Sequence, residues 1–317
     1  MKLLKLVPDN TNIDFMKWRN IALILSILAS VASLVLVGVR GLNLGIDFVG
    51  GQVVRATFAR PVDIEDLRGK VAGLGVGEAS IQEFGDNKTY QIRLPKPEGP
   101  DAAANQVVTL VRGMITKDYP GVKVTAGESV SGKVSGELAW DGALAIGFAM
   151  LGIAIYIWFR CEWQFGVGAL ITLFHDVSMV LGFFAVTQLQ VDLNIVAAFL
   201  AIVGYSLNDT IVVYDRVRED LRKYKKMPLP QLLNNAINET LSRTTLTSVT
   251  TILALLALVL FGGEVIRSFT MAMLFGVVFG TYSSIFIAAP LLILFKLRPE
   301  ATTADEDKPV KSKAVAT

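Results

Sequence analysis

The stretch "LNIVAAFLAIVGYSLNDTIVVYD" occupies residues 193–215. It is small and apolar for most of its length, and then it carries Asn208 and Asp209 side by side. A carboxylate in hydrocarbon is expensive and marks a functional site by default. On a helix, Ala198, Ala201, Tyr205 and Ser206 fall within about a quarter turn of Asp209. Leu200, Val203 and Leu207 fall away from it. Small faces let helices approach closely, so Asp209 is expected to face protein or a wet cleft rather than lipid.

The whole chain supports that setting. It has 317 residues, 52% hydrophobic and only 18% charged. A soluble chain of this length carries more charge, so the composition reads as an integral membrane protein. The net charge of +2 argues for no nucleic-acid partner. One cysteine, Cys161, excludes an internal disulfide and offers no metal or redox motif. One histidine, His175, cannot build a histidine metal cluster.

Six apolar runs are long enough to cross about 30 Å of hydrocarbon. The first, residues 20–39, lies between Arg19 and Arg40 and reads as an uncleaved signal-anchor. The others are Gly142–Phe159, Trp163–Thr187, Leu193–Tyr214, Thr244–Gly263 and Ser268–Phe295. Lys2, Lys5, Lys17, Arg19 and Arg160 fall on one side of the membrane. The 215–243 loop, with Arg216, Arg218, Arg222, Lys223 and Arg243, falls there too, as do Lys296 and Arg298. Positive loops stay cytoplasmic, so both termini are expected in the cytoplasm. The division is a cytoplasmic segment 1–19, a span 20–39 and an extracytoplasmic domain 40–137. Five spans follow over 138–297, then a disordered cytoplasmic tail, 298–317.

The 40–137 segment is too long for a connector. Gln52–Ala59 alternates like a strand, and Asp63–Leu74 has helical spacing with Asp63 as N-cap. Ala79–Phe84 and Thr89–Leu94 flank the hairpin signal Gly85-Asp86-Asn87-Lys88. Asp101–Tyr119 is a second helix and Val122–Ala126 a last strand. The order is that of a ferredoxin-like split βαβ domain. Its acidic and basic residues balance, and no phosphate-loop context surrounds "GLGVG" at 73–77, which reads as a helix end and turn. In the cytoplasmic loop, Leu233, Ile237 and Leu241 recur at helical spacing and predict a short interfacial helix leading into span five.

Other polar groups enter the spans. His175 and Asp176 interrupt span three above Gly168, Ala169 and Thr172. Arg243, Thr247, Thr250, Ala254 and Ala257 form one polar-to-small stripe on span five, and Arg243 is a candidate counter-charge. Asp209 lies about six residues, roughly 9 Å, from the cytoplasmic end of its span, so the depths match. A ridge in span six, Ala272, Gly276, Gly280, Ser284 and Ala288, predicts close packing. A carboxyl between desolvation and a nearby guanidinium can load and release a proton at working pH.

Four segments resemble signatures of the bacterial SecF family. They are "GLNLGIDFVGG" (41–51), "HDV" (175–177), "VGYSLNDTIVVYDRVRE" (203–219) and "NETLSRTTLTSVTT" (238–251). The opening "LVPDNTNIDFMKWR" (6–19) is similar too, so the resemblance covers all but the tail. It implies an α-helical membrane protein whose six transmembrane helices form half of a bundle of the resistance-nodulation-division type. It implies SecD as the other half and the SecYEG channel as a partner, with YajC and YidC as further partners. Unfolded exported polypeptides would be the substrate, moved at a late stage by the proton-motive force in the bacterial cytoplasmic membrane. The family's relay acid falls on Asp209 and its functional arginine on Arg243, with Asn208 and Thr247 in the same segments. His175 and Asp176 join them as coupling candidates. Gly45, Asp47, Gly50 and Gly51 lie in the signature that opens the exported domain, with Gly50 and Gly51 as a candidate hinge. No enzyme activity and no cofactor beyond the proton are expected. A small-molecule or lipid efflux subunit of the same superfamily is the competing expectation, and a passive scaffold a third.

Overall fold

The computed structural model describes residues 8, 11–77, 79–95, 101–160 and 162–297. Cys161 and the 298–317 tail lie outside the described residues. Among the described residues, six helical rods are long and apolar enough to cross a membrane. They are α1 (Arg19–Arg40), α5 (Gly132–Arg160), α6 (Trp163–Thr187), α7 (Leu193–Lys223), α8 (Leu229–Phe261) and α9 (Arg267–Ser283). The last rod continues as a π-helical turn, Ser284–Ala288, and then α10 (Ala289–Leu294). Pro290 carries no N–H, so the Phe286 carbonyl loses its ordinary α-helical donor, and the helix widens there.

Between α1 and α5 lies the α/β domain: α2 (Ile46–Val49), β1 (Gly51–Thr57), α3 (Ile64–Ala72), β2 (Ser80–Phe84), β3 (Asp86–Leu94), α4 (Asp101–Asp118) and β4 (Lys123–Val130). The sheet is antiparallel in the order β2-β3-β1-β4, which is the split βαβ arrangement. Alternation along β3 sends Tyr90, Ile92 and Leu94 into an apolar core with Val54, Leu67, Val111 and Ile115. Tyr90 and Tyr119 each meet the Phe58 ring in a T-shaped contact, with centroids 5.5 and 5.1 Å apart. The Asp63 carboxylate accepts from the Glu65 amide at 2.9 Å and starts α3.

Three boundaries differ from the sequence expectation. Residues 132–137 belong to α5, because Ser131 Oγ accepts from the Val134 amide and no breaker follows. Helix α7 runs on to Lys223, past the apolar span. Helix α8 has no joint between an interfacial piece and a span. It starts next to Pro228 and Pro230 and runs unbroken for 33 residues, about 50 Å. The apolar stripe of its first turns packs against protein. Leu232, Leu233, Ala236 and Ile237 are buried with Phe15, Met16 and Val217. Asn238 there exchanges hydrogen bonds with the Ile13 backbone, at 2.9 Å in both directions.

Helices α6, α7 and α9 form the centre of the bundle, while α1, α5 and the apolar part of α8 bury few side chains. The small ridge of α9 packs on α7. A β-carbon on Gly276 would lie 2.5 Å from Ile202, and one on Gly280 would lie 3.2 Å from Ser206. Gly168 of α6 makes room for Tyr214 in the same way.

Candidate functional site

Two polar clusters occupy the bundle. The first centres on Asp176 of α6, which is 1% exposed. Its Oδ1 lies 2.9 Å from His175 Nδ1. Its Oδ2 accepts from Ser206 Oγ of α7 at 2.5 Å and from Ser283 Oγ of α9 at 2.8 Å. One carboxyl thus joins the three central helices. Buried polar groups need such partners, because desolvation without them is costly.

The second cluster runs along the seam of α7 with α8. Asp209 is 3% exposed, and among the described residues its Oδ2 has no hydrogen-bond partner. The Thr210 and Thr244 hydroxyls are buried and equally unspent. A turn away, the Tyr205 hydroxyl donates to Ser248 Oγ at 3.3 Å, and Ser248 Oγ lies 2.7 Å from Thr281 Oγ1. Thr281 donates its single proton to the Val277 carbonyl, so Ser248 is the donor to Thr281. The hydroxyls therefore form one directional chain from α7 through α8 to α9.

Arg243 is exposed, and its charge bears on Asp209 electrostatically. Among the described residues no ion pair or hydrogen bond joins the two. Arg243 and Asn208 both line a cleft of about 460 Å³ with Asp215, Arg216, Glu219 and Thr240. Arg216 pairs there with Glu219 at 2.7 Å and with Glu239. Thr247 is half-buried and donates to the Thr244 carbonyl of its own helix at 3.0 Å.

The structure thus brings Asn208 and Arg243 to one cleft, leaves Asp209 buried next to Asn208 and outside that lining, and puts Asp176 and His175 in a separate cage. The cage and Asp209 meet through α7, where Ser206 of the cage lies one turn before Asp209. The stripe read on span five turns outward: Arg243, Thr250, Ala254 and Ala257 are exposed, while Thr244 and Ser248 face the bundle. Ala201 is exposed as well, whereas Val203 and Leu207 are buried. Helix α7 is wrapped on most sides, so its open strip is the narrow line of Ala197, Ala201, Gly204 and Asn208. Ser283, Ser248 and Thr281 were missed. The Ser283-Ser284 doublet was the available signal, but the choice of serine depends on how α9 is rotated against α6.

Of the signature residues at the domain entrance, Gly50 has φ 73° and Gly51 φ 125°, both in the region that favours glycine. A β-carbon on Gly50 would lie 3.2 Å from Gly132 Cα, so this corner is packed tightly against the start of α5. Gly45 donates its amide to the Val191 carbonyl at 2.7 Å, and Asp47 accepts from the Leu193 amide at 2.9 Å.

Fold and site together define a multi-span membrane protein built around buried carboxylates, with one α/β domain set between its first two spans. Family models sharpen this. "Protein export membrane protein SecD/SecF, C-terminal" matches residues 111–298, and "SecD/SecF GG Motif" matches residues 35–62. The chain belongs to the SecD/SecF family of protein-export membrane proteins, on its SecF branch. It is 43% identical over 293 residues to the protein translocase subunit SecF of Rickettsia conorii, covering 92% of this chain and 94% of that one. It is also 43% identical over 306 residues to the SecF subunit of Rhodobacter capsulatus, covering 93% and 92%. The crystal structure of SecDF from Thermus, described as a translocon-associated membrane protein, superposes with a TM-score of 0.83 at 32% identity. That match covers 92% of this chain but 39% of the longer SecDF polypeptide. A SecDF structure in a super-membrane-facing form gives 0.65 at 30% identity, over 96% and 41%.

Proposed function

We propose that this chain is a non-enzymatic subunit of the Sec protein translocase, working in the bacterial cytoplasmic membrane with both termini in the cytoplasm. It pairs with SecD and, through the SecYEG channel with YajC and YidC, helps complete the export of unfolded polypeptides. The proton-motive force drives it, and the proton is its only coupling species. The observation that carries the coupling is Asp209: a carboxylate 3% exposed, with one oxygen unpartnered, beside a cleft that holds Arg243. A proton moving down a membrane potential releases about 2.3 kcal/mol per 100 mV, enough to shift two helix arrangements that differ by a few kcal/mol. Loading Asp209 removes a buried charge, and unloading it restores an attraction to Arg243. The Asp176 cage ties α6, α7 and α9, so a shift of α7 is felt across the centre of the bundle.

Export into inverted membrane vesicles, with and without a proton gradient, tests this. Asp209→Asn should abolish the gradient-dependent component while the chain still copurifies with its SecD partner. Full activity with unchanged gradient dependence would eliminate the proton-carrying role. A chain that supports export equally with the gradient collapsed would be a scaffold.

A further inference from the structure

The exported domain does not hang from α1 by a free linker. Residues 40–47 pair with the loop before α7. Asn43 Nδ2 donates to the Gln188 carbonyl at 2.7 Å, and the Val191 amide donates to the Asn43 carbonyl at 2.9 Å. Leu44 and Val191 form a parallel bridge. The Asp47 carboxylate then accepts from the Leu193 amide, the first residue of α7. An acid at this position satisfies an orphan donor and meets the positive end of the helix dipole.

The domain's sheet grips the same segment from the other side. Arg93 projects from β3 away from the domain core and is 7% exposed. Its Nη1 donates to the Leu44 carbonyl at 2.8 Å, and its Nη2 donates to Asn43 Oδ1 at 2.8 Å. A buried guanidinium served by neutral acceptors is costly to hold for packing alone. From Leu193 to Asp209 α7 is unbroken, a rigid length of about 24 Å.

We propose that Asp47 and Arg93 are positioning residues for coupling. They weld the exported domain to the end of the helix that carries Asp209, so that a displacement of α7 moves the domain as one body. Transmission runs through this clasp and not through a hinge at Gly50 and Gly51. The transmission half rests on the proton-driven reading above; the clasp half does not.

The test uses the full chain purified with its SecD partner and reconstituted in bilayers. Hydrogen exchange is followed at residues 188–195, and export is measured in vesicles under a proton gradient. Asp47→Ala should speed exchange at the Leu193 amide about fivefold, the factor an N-cap is typically worth. It should also remove most gradient-dependent export. Asp47→Asn keeps an N-capping oxygen and should rescue both. Arg93→Gln should act in the same direction as Asp47→Ala, and it serves if Asp47→Ala fails to accumulate. Unchanged exchange in both variants would overturn the clasp. Faster exchange with full gradient-dependent export would overturn the transmission, leaving a merely structural contact. If the unsubstituted complex shows no gradient-dependent export, the proton-driven function and the transmission both fall, while the exchange result still judges the clasp.

Discussion

The α/β domain packs its core from hydrocarbon alone, whereas the membrane bundle sets buried polar groups among its apolar clusters. The domain hides Val54, Ala56, Leu67, Ile92 and Ile115, and it turns its charged pairs to solvent. At its centre the bundle hides Asp176, Ser206, Asp209, Thr210 and Ser283, and it leaves large apolar side chains of α1, α5 and α8 exposed. Solvent explains the difference. In water the domain gains by burying hydrocarbon. In lipid there is no such gain, so helices associate through close packing and polar ties. The domain's interior is therefore its stability, and the bundle's interior is open to use as a mechanism.

Substitutions that separate stability from activity probe that contrast. The largest loss of stability is expected from Ile92→Ala, which empties a fully buried site in the domain at a cost of about 2–5 kcal/mol. Hydrogen exchange across β1 and β3 should rise sharply while the bundle's amides stay protected. Gly276→Val should follow at about 1–3 kcal/mol, because the added β-carbon starts 2.5 Å from Ile202 and α9 must retreat from α7. Crosslinking between those helices should report it. Asp63→Ala, which removes the α3 cap, should cost about 1 kcal/mol, read as faster exchange in the first turn of α3. Asp176→Asn should cost less stability still, about 0.6 kcal/mol, as interhelical bonds in bilayers average. Yet it should slow gradient-dependent export far more than any domain substitution of equal cost. If Ile92→Ala and Asp176→Asn depress export in proportion to the stability each loses, the proposed division of labour fails.

These regions also differ in how legible they were. The spans were readable because crossing a bilayer needs length and hydrocarbon, and both are local properties. The split βαβ order was readable from alternation and turn residues. Asp209 and Asp176 stood out because acids are rare at such depth. Their surroundings did not. Ser283 reaches Asp176 from a residue 107 positions away, and the choice of Ser283 over Ser284 is set by the rotation of one helix. The clasp was invisible for another reason. Asn43, Gly45 and Asp47 bond mainly to backbone groups near residue 190, and backbone partners leave no pattern in side-chain spacing. The packing at the start of α8 was not readable, because an apolar stripe looks the same whether it meets lipid or the flank of α7.

The smallest expected effect belongs to the domain's surface, where charge is exposed and tunable. The Tyr119 hydroxyl donates to Asp66 Oδ2 at 2.8 Å, and Lys70 Nζ lies 3.0 Å from the same oxygen. The tyrosine bond first, and then the lysine, hold the Asp66 carboxyl below the ordinary carboxylate range. A depressed acid stabilises the folded form above its unfolded pKa, near 4, and that contribution fades as pH falls through the lower folded value. Acidification below about pH 4 should therefore loosen α3 from the Tyr119 end of α4. Exchange in α3 would show the step, and Asp66→Asn should flatten it. Screening at 1 M salt, with a Debye length of about 3 Å, should weaken the lysine's share and leave the tyrosine bond. An identical acid profile in Asp66→Asn would mean that the exposed pairs of this domain contribute nothing measurable. Its contrast with the bundle would then rest on hydrocarbon alone.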